Sequence, residues 1–135
     1  MTASDVLRLG HGVCFAKSHL LAALLRSVCI PAGLCYQKLI FDDVCDRRLT
    51  LHGLNAVYLE EENRWIRLDA RGNKRGVNAQ FDLNAEKLAF PVREELGEAD
   101  FETICFSPAK SVLESLQSSR SAAELINNLP TEFII

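Results

Sequence analysis

Cys14 is the residue of this 135-residue chain whose setting best suits nucleophilic chemistry. It follows Gly10-His11-Gly12-Val13 and opens an Ala- and Leu-rich run from Phe15 to Arg26. Ala and Leu favour helix, so the run predicts a helix with Cys14 in its first turn. A helix N-terminus presents N–H groups without intrahelical partners and carries about half a positive charge. A thiol there ionises more readily, and the same N–H groups can hold a developing oxyanion. Gly10 and Gly12 leave room beside it for the backbone of a substrate. The plainer reading, a small residue at a helix start, stays open on this local pattern. The other four cysteines lack the setting. Cys29 falls at the opposite end of the helix, Cys35 in an apolar run, Cys45 in an acidic loop and Cys105 between Ile104 and Phe106.

A thiol nucleophile needs a base, normally His, and the base needs an orienting group. The chain has three histidines. His19 is five residues beyond Cys14, about 140° around an ideal helix, and points elsewhere. His11 precedes the helix in a loop, where a substrate contact or a metal ligand is an equal reading. His52 opens a strand whose hairpin partner ends at Asp69. If the turn centres between Glu61 and Glu62, position 52 faces position 71 and Asp69 lies one step diagonal. Residues two apart on a strand share a face, so His52 and Asp69 can project to the same side. A carboxylate there fixes the imidazole tautomer and stabilises its cation. Taken singly, Asp69 also reads as a turn residue or a partner for Arg71, and His52 as a satisfied strand-end histidine. A metal reading with His11, Cys14, His52 and Asp69 fits the residue types zinc takes but lacks a compact pair of ligands.

The elements that must carry these residues follow from punctuation and period. Ser4 caps a short helix over residues 4–9. The Cys14 helix carries apolar residues on two sides, predicting burial over most of its surface with Lys17 and Arg26 at solvent, and it stops at Ile30-Pro31. The period then becomes two, predicting strands over 34–40, 51–60 and 64–69, with a charged connection over 41–48. A short strand over 77–81 is expected. Residues 82–106 give no clear signal. Ser107-Pro108 predicts a helix start running to Leu116, and Ser121-x-x-Glu124 is a capping box for a last helix ending near Leu129. Helix, antiparallel strands, then helices is an α+β order.

At this point the sequence resembles the transglutaminase-like domain of the papain-like cysteine-protease superfamily. The resemblance rests on Gly12-Val13-Cys14-Phe15-Ala16 with the Leu-Leu-Ala-Ala-Leu-Leu-Arg run, on Ile30-Pro31-Ala32, on His52 opening a strand and on Trp65-Ile66-Arg67-Leu68-Asp69, over about residues 8–82. It implies a papain-like core in which the Cys helix packs on an antiparallel sheet. It implies Cys14 as nucleophile, His52 as base and Asp69 as orienting group, in acyl transfer through a thioester. Hydrolysis of a peptide or amide is the default outcome, with transamidation as the other acceptor chemistry. Three departures stand out: Cys29 where a small residue or glycine usually precedes Ile-Pro, Leu54 where a Trp often follows the His, and only 13 residues before Cys14. The last leaves the second oxyanion donor unassigned beside the Cys14 N–H. Gln37 and Asn55 are candidates, though Gln37 reads more readily as an exposed strand residue. An arylamine-acetyltransferase-like activity and a non-catalytic interaction domain are the rival readings.

Composition bounds the rest. Lys and Arg number 15 against 18 Asp and Glu, a net charge of −3, which gives no nucleic-acid footprint. No run of 18 apolar residues and no signal-peptide pattern occurs, so neither a membrane span nor secretion is expected. Five cysteines are an odd number with no Cys-x-x-Cys pair, which fits a cytoplasmic chain of free thiols better than a disulfide framework. The expectation is one domain over 1–135, with a core at about 8–82 and a helical extension over 107–129, no cofactor and no metal, and a protein or peptide substrate. The C-terminal helices either cover the sheet or form a homodimer contact. The acidic stretch Glu60-Glu61-Glu62 is expected as a solvated turn; bordering the groove, it would favour basic substrates.

Overall fold

The computed structural model describes residues 2–135. The elements run α1 (Ala3–Leu9), α2 (Cys14–Ser27), β1 (Ala32–Asp42), β2 (Asp46–Leu59), β3 (Arg64–Leu68), β4 (Ala99–Cys105), α3 (Lys110–Ser118) and α4 (Ala122–Asn127). Short 3-10 turns occupy Glu60–Glu62 and Glu94–Leu96. The strands form one antiparallel sheet in the order β3-β2-β1-β4. The expected α+β order is thus observed, with the Cys14 helix at the front and helices at the end.

Strand alternation divides the sheet into two faces. Leu34 and Tyr36 of β1 and Leu51 of β2 pack with Phe15 and Ala22 of α2 and with Val112, Leu116 and Leu125 of the last two helices. On the other face Cys35, Leu54 and Ala56 are covered by Leu88 and Ile104. The C-terminal helices therefore cover the sheet, and Phe133 of the tail stacks against Tyr36 and Phe101.

Several local expectations are corrected. Thr2, not Ser4, caps α1, because Asp5 at the third helical position bonds back to the Thr2 N–H while Thr2 accepts from Asp5. The first two strands are longer than their apolar runs. Asp42 Oδ1 accepts from the N–H groups of Val44 and Cys45, making the charged connection a tight turn that lets pairing continue to Asp46. α2 is buried on one face only, with Ala23 and Leu24 exposed. Arg26 is not a solvent contact: it donates to the carbonyls of Ala32 and Phe106 and ties the end of α2 to the strands. No strand forms over 77–81; Val77 only makes an isolated bridge to Lys74. The unreadable stretch contains edge strand β4, whose charged outward positions hide its period. α3 starts at Lys110 behind Ala109, whose N–H donates to the Tyr36 hydroxyl, so Ser107 is not its cap. Ser121 does cap α4, accepting from Glu124, but the helix stops at Asn127 and Glu124 answers to the Arg120 N–H.

Cys29 sits between α2 and β1 at φ 61, a left-handed conformation that glycine adopts freely. A side chain there costs about 1–2 kcal/mol, partly offset by the extra freedom glycine has when unfolded. Cys29→Gly is expected to stabilise the chain by roughly 0.5–1 kcal/mol and to raise Tm by a few degrees. An unchanged or lowered Tm in a thermal melt would show that the turn carries no strain.

Candidate active site

β2 carries 14 residues and β3 only five, so β3 leaves half of its neighbour's outer edge uncovered. Pairing between them ends at Asn55↔Leu68. Every second N–H of β2 points to that edge. Beyond the end of β3, the Leu51 N–H donates to the Pro130 carbonyl of the C-terminal segment, at 2.7 Å. Between these two partners the Gly53 N–H meets the sulfur of Cys14. A gap in strand pairing is thus filled by the first residue of α2. Gly53 permits the approach: a Cβ there would lie 2.7 Å from Phe15 Cδ1 and 3.4 Å from Phe15 Cα.

The hairpin register matches the sequence expectation: the observed pairs, from Leu59↔Arg64 to Asn55↔Leu68, have the offset that sets 52 against 71. His52 and Asp69 meet as expected, His52 Nε2 lying 2.7 Å from Asp69 Oδ2 with both residues buried. Asp69 also accepts from the N–H groups of Arg71, at 2.8 Å, and Ala89. With Nε2 on Asp69, the ring nitrogen left for Cys14 is Nδ1, and Cys14 lies within hydrogen-bonding reach of the ring. Phe90 stands edge-on to the imidazole, centroids 5.2 Å apart at 88°, and Arg71 lies over the Phe90 ring.

The electrostatics of the three groups are coupled. Burial alone would raise the Cys14 thiol, but the hydrogen bond and charge of His52, with the N–H groups of Gly53 and Phe15, bring its pKa below the ordinary cysteine value. Burial opposes the imidazolium, yet the bonds to Asp69 and Cys14 push His52 up to about 9. Burial likewise works against the Asp69 carboxylate, and His52 and the two N–H donors hold its pKa below the usual range. The arrangement favours a thiolate beside an imidazolium. Elsewhere burial pushes the Cys35 thiol up to about 12 and raises Cys105. All five cysteines are free.

Cys14 and His52 open onto a cavity of about 820 Å³. Val13 caps α2 without a side-chain hydrogen bond, so no side chain competes for the N–H groups there. The remaining expected site residues lie apart. Asn55 is fully buried between α2 and β1, its amide donating to the Ser18 and Gly33 carbonyls. Gln37 is not an exposed strand residue: it is 1% exposed, turns its amide toward Asp100 and lines a separate cavity of about 370 Å³. Neither lines the Cys14 cavity. His11 and His19 do not line it either, and burial lowers the His19 pKa. Among the described residues, no three His, Cys, Asp or Glu side chains converge as a metal site, so the four named for that reading are not assembled as ligands. Glu60–Glu62 forms the turn at the far end of the hairpin and does not border the cavity. Gly53 and Phe90 were not anticipated; the Gly directly after His52 was the available signal for a close approach.

A model of the transglutaminase-like superfamily matches residues 1–70. That is just over half of the 135 residues and includes Cys14, His52 and Asp69. The chain belongs to the transglutaminase-like superfamily. No curated protein and no solved structure matches it. Membership brings cysteine-dependent acyl transfer as the general chemistry. Within this transglutaminase-like chain the match stops immediately after Asp69, so Phe90, Arg71 and the C-terminal segment that pairs with Leu51 lie beyond it. Among the described residues no helix is long and apolar enough to cross a membrane.

Proposed function

We propose that the chain is a cysteine peptidase or amidase of papain-like plan, working as one domain over residues 1–135 with Cys14, His52 and Asp69 as a catalytic triad. The observation that carries this reading is the continuous contact from the Cys14 thiol through the two nitrogens of His52 to the buried Asp69 carboxylate, at the mouth of the large cavity. The Cys14 thiolate attacks the carbonyl carbon of a peptide or amide, and the Cys14 N–H at the start of α2 holds the oxyanion. As the C–N bond breaks, protonated His52 gives its proton to the departing amine. Water then attacks the thioester, His52 takes its proton, and the C–S bond breaks to release the acid and regenerate the thiolate. Asp69 keeps the ring oriented and stabilises its cation throughout. A primary amine in place of water gives transamidation; the abundance of water makes hydrolysis the default. These steps need no cofactor. The reading places the enzyme in the cytoplasm, where free thiols persist, acting on proteins or peptides.

p-Nitrophenyl acetate tests the covalent step. A nitrophenol burst equal to the protein concentration, with one acetyl group mapped to Cys14, is expected, and Cys14→Ala is expected to abolish both. Acetylation spread over the exposed Cys29 and Cys45 with Cys14 unmodified would reject the proposal and favour an interaction domain that kept the fold.

A further inference from the structure

The protein is acidic overall, but the uncommitted charges around the Cys14 cavity are not. Three carboxylates line it, and all are engaged. Glu98 and Asp43 are both bridged by Arg93, at 2.5 and 2.9 Å, and Asp42 accepts from two backbone N–H groups of its own turn. The lining also includes Lys17, Arg71 and Lys74, none of which makes an ion pair among the described residues. Lys17 is three residues beyond Cys14 on α2, a spacing that puts the two side chains side by side. Arg71 lies in the turn after β3, its backbone N–H donating to Asp69, and its guanidinium is held over Phe90, which itself abuts His52. The cations thus flank the thiol and the imidazole from two elements. Val13, Leu39, Leu51, Ile126 and Leu129 add apolar walls to the same cavity.

We propose that this cationic rim selects acyl donors carrying a carboxylate close to the scissile amide, as in acidic peptides, with Lys17 and Arg71 as the main contacts and Lys74 as a long-range one. The inference rests on the thioester chemistry of the preceding section and names its substrate class. It reverses the preference for basic substrates that the Glu60–Glu62 stretch suggested, since that stretch is remote from the cavity.

Paired alkylating reagents test it. Iodoacetate and iodoacetamide react with a thiolate by the same displacement of iodide and differ in charge. The ratio of their rates at Cys14 is expected to exceed the ratio at Cys45 of the same chain, because Cys45 does not line the cavity. Replacing Lys17, Arg71 and Lys74 together by Gln is expected to lower the Cys14 ratio on the order of fivefold, and added salt to lower it in the native chain. The charge of His52 stays in both proteins, so only the rim is compared. An unchanged ratio in the triple variant would overturn the proposal. Cys14 reacting with iodoacetamide no faster than Cys45 would instead be a failure of the thioester reading, a separable outcome.

Discussion

His52→Ala is expected to remove acyl transfer and about 3 kcal/mol of stability together. Breaking a buried ion pair by deleting one partner costs about 3–5 kcal/mol because the other charge stays buried. The lower end applies here, since the Asp69 carboxylate keeps the N–H groups of Arg71 and Ala89. Acylation by p-nitrophenyl acetate is expected to fall by about 10²–10⁴ with the base gone. His52→Gln separates the two effects: its amide can still donate toward Asp69, so stability largely returns, but it cannot hold the thiol proton, so acylation does not. The pair also gives stability a pH dependence of known sign. The folded pKa of His52, about 9, is above its reference value of 6.5. The contribution is therefore complete below pH 6.5 and is lost as pH rises toward 9. Urea denaturation at several pH values should show that decline in the native chain and not in His52→Gln. A His52→Ala protein with native stability and native acylation would contradict both roles.

Substitution of Asp69 is expected to give a graded loss. Asp69→Asn keeps an acceptor for the Nε2 proton but removes the charge that favours the imidazolium. Asp69→Ala leaves Nε2 without a partner in a buried place, where burial disfavours the imidazolium and only Cys14 still opposes it. The acylation rate at pH 7 is expected to fall in both, on the order of 10³-fold in the second and less in the first. In the proposed triad Asp69 acts only through His52, as a positioning residue, and its expected signature is electrostatic: the pH at which Cys14 ionises should rise in the same order, Asp, Asn, Ala. A purely structural carboxylate would lower thermal stability and leave that order flat.

The site was legible in the sequence to an unusual depth because hairpin register is simple arithmetic. A turn centred at Glu61-Glu62 sets 52 opposite 71, and period two then puts His52 and Asp69 on one face, where they lie 2.7 Å apart. Cys14 was legible through glycines, helix propensity and dipole. Gln37 was not, because its polar side chain says nothing about the loop over residues 84–92 that covers its face of the sheet. β4 was hidden for the reason edge strands often are: its exposed positions carry Asp100 and Glu102, and its packed residues divide between the two faces, Phe101 and Cys105 on one and Ile104 on the other. The cationic rim was out of reach altogether. Lys17 read as a solvated helix position and Lys74 as loop, and only the third dimension sets them on one cavity, and shows that Arg93 bridges two of the carboxylates nearby.

The proposed pairing of a Cys14 thiolate with His52 is open to test through the pH dependence of Cys14 alkylation by iodoacetamide. Mapped by mass spectrometry in the native chain, the inflection is expected clearly below the ordinary cysteine value of 9.0, since His52 and the two backbone N–H groups outweigh burial. In His52→Gln, with burial the largest remaining influence, the inflection is expected to move upward. A native inflection at or above 9.0, or one that His52→Gln leaves in place, would contradict the account.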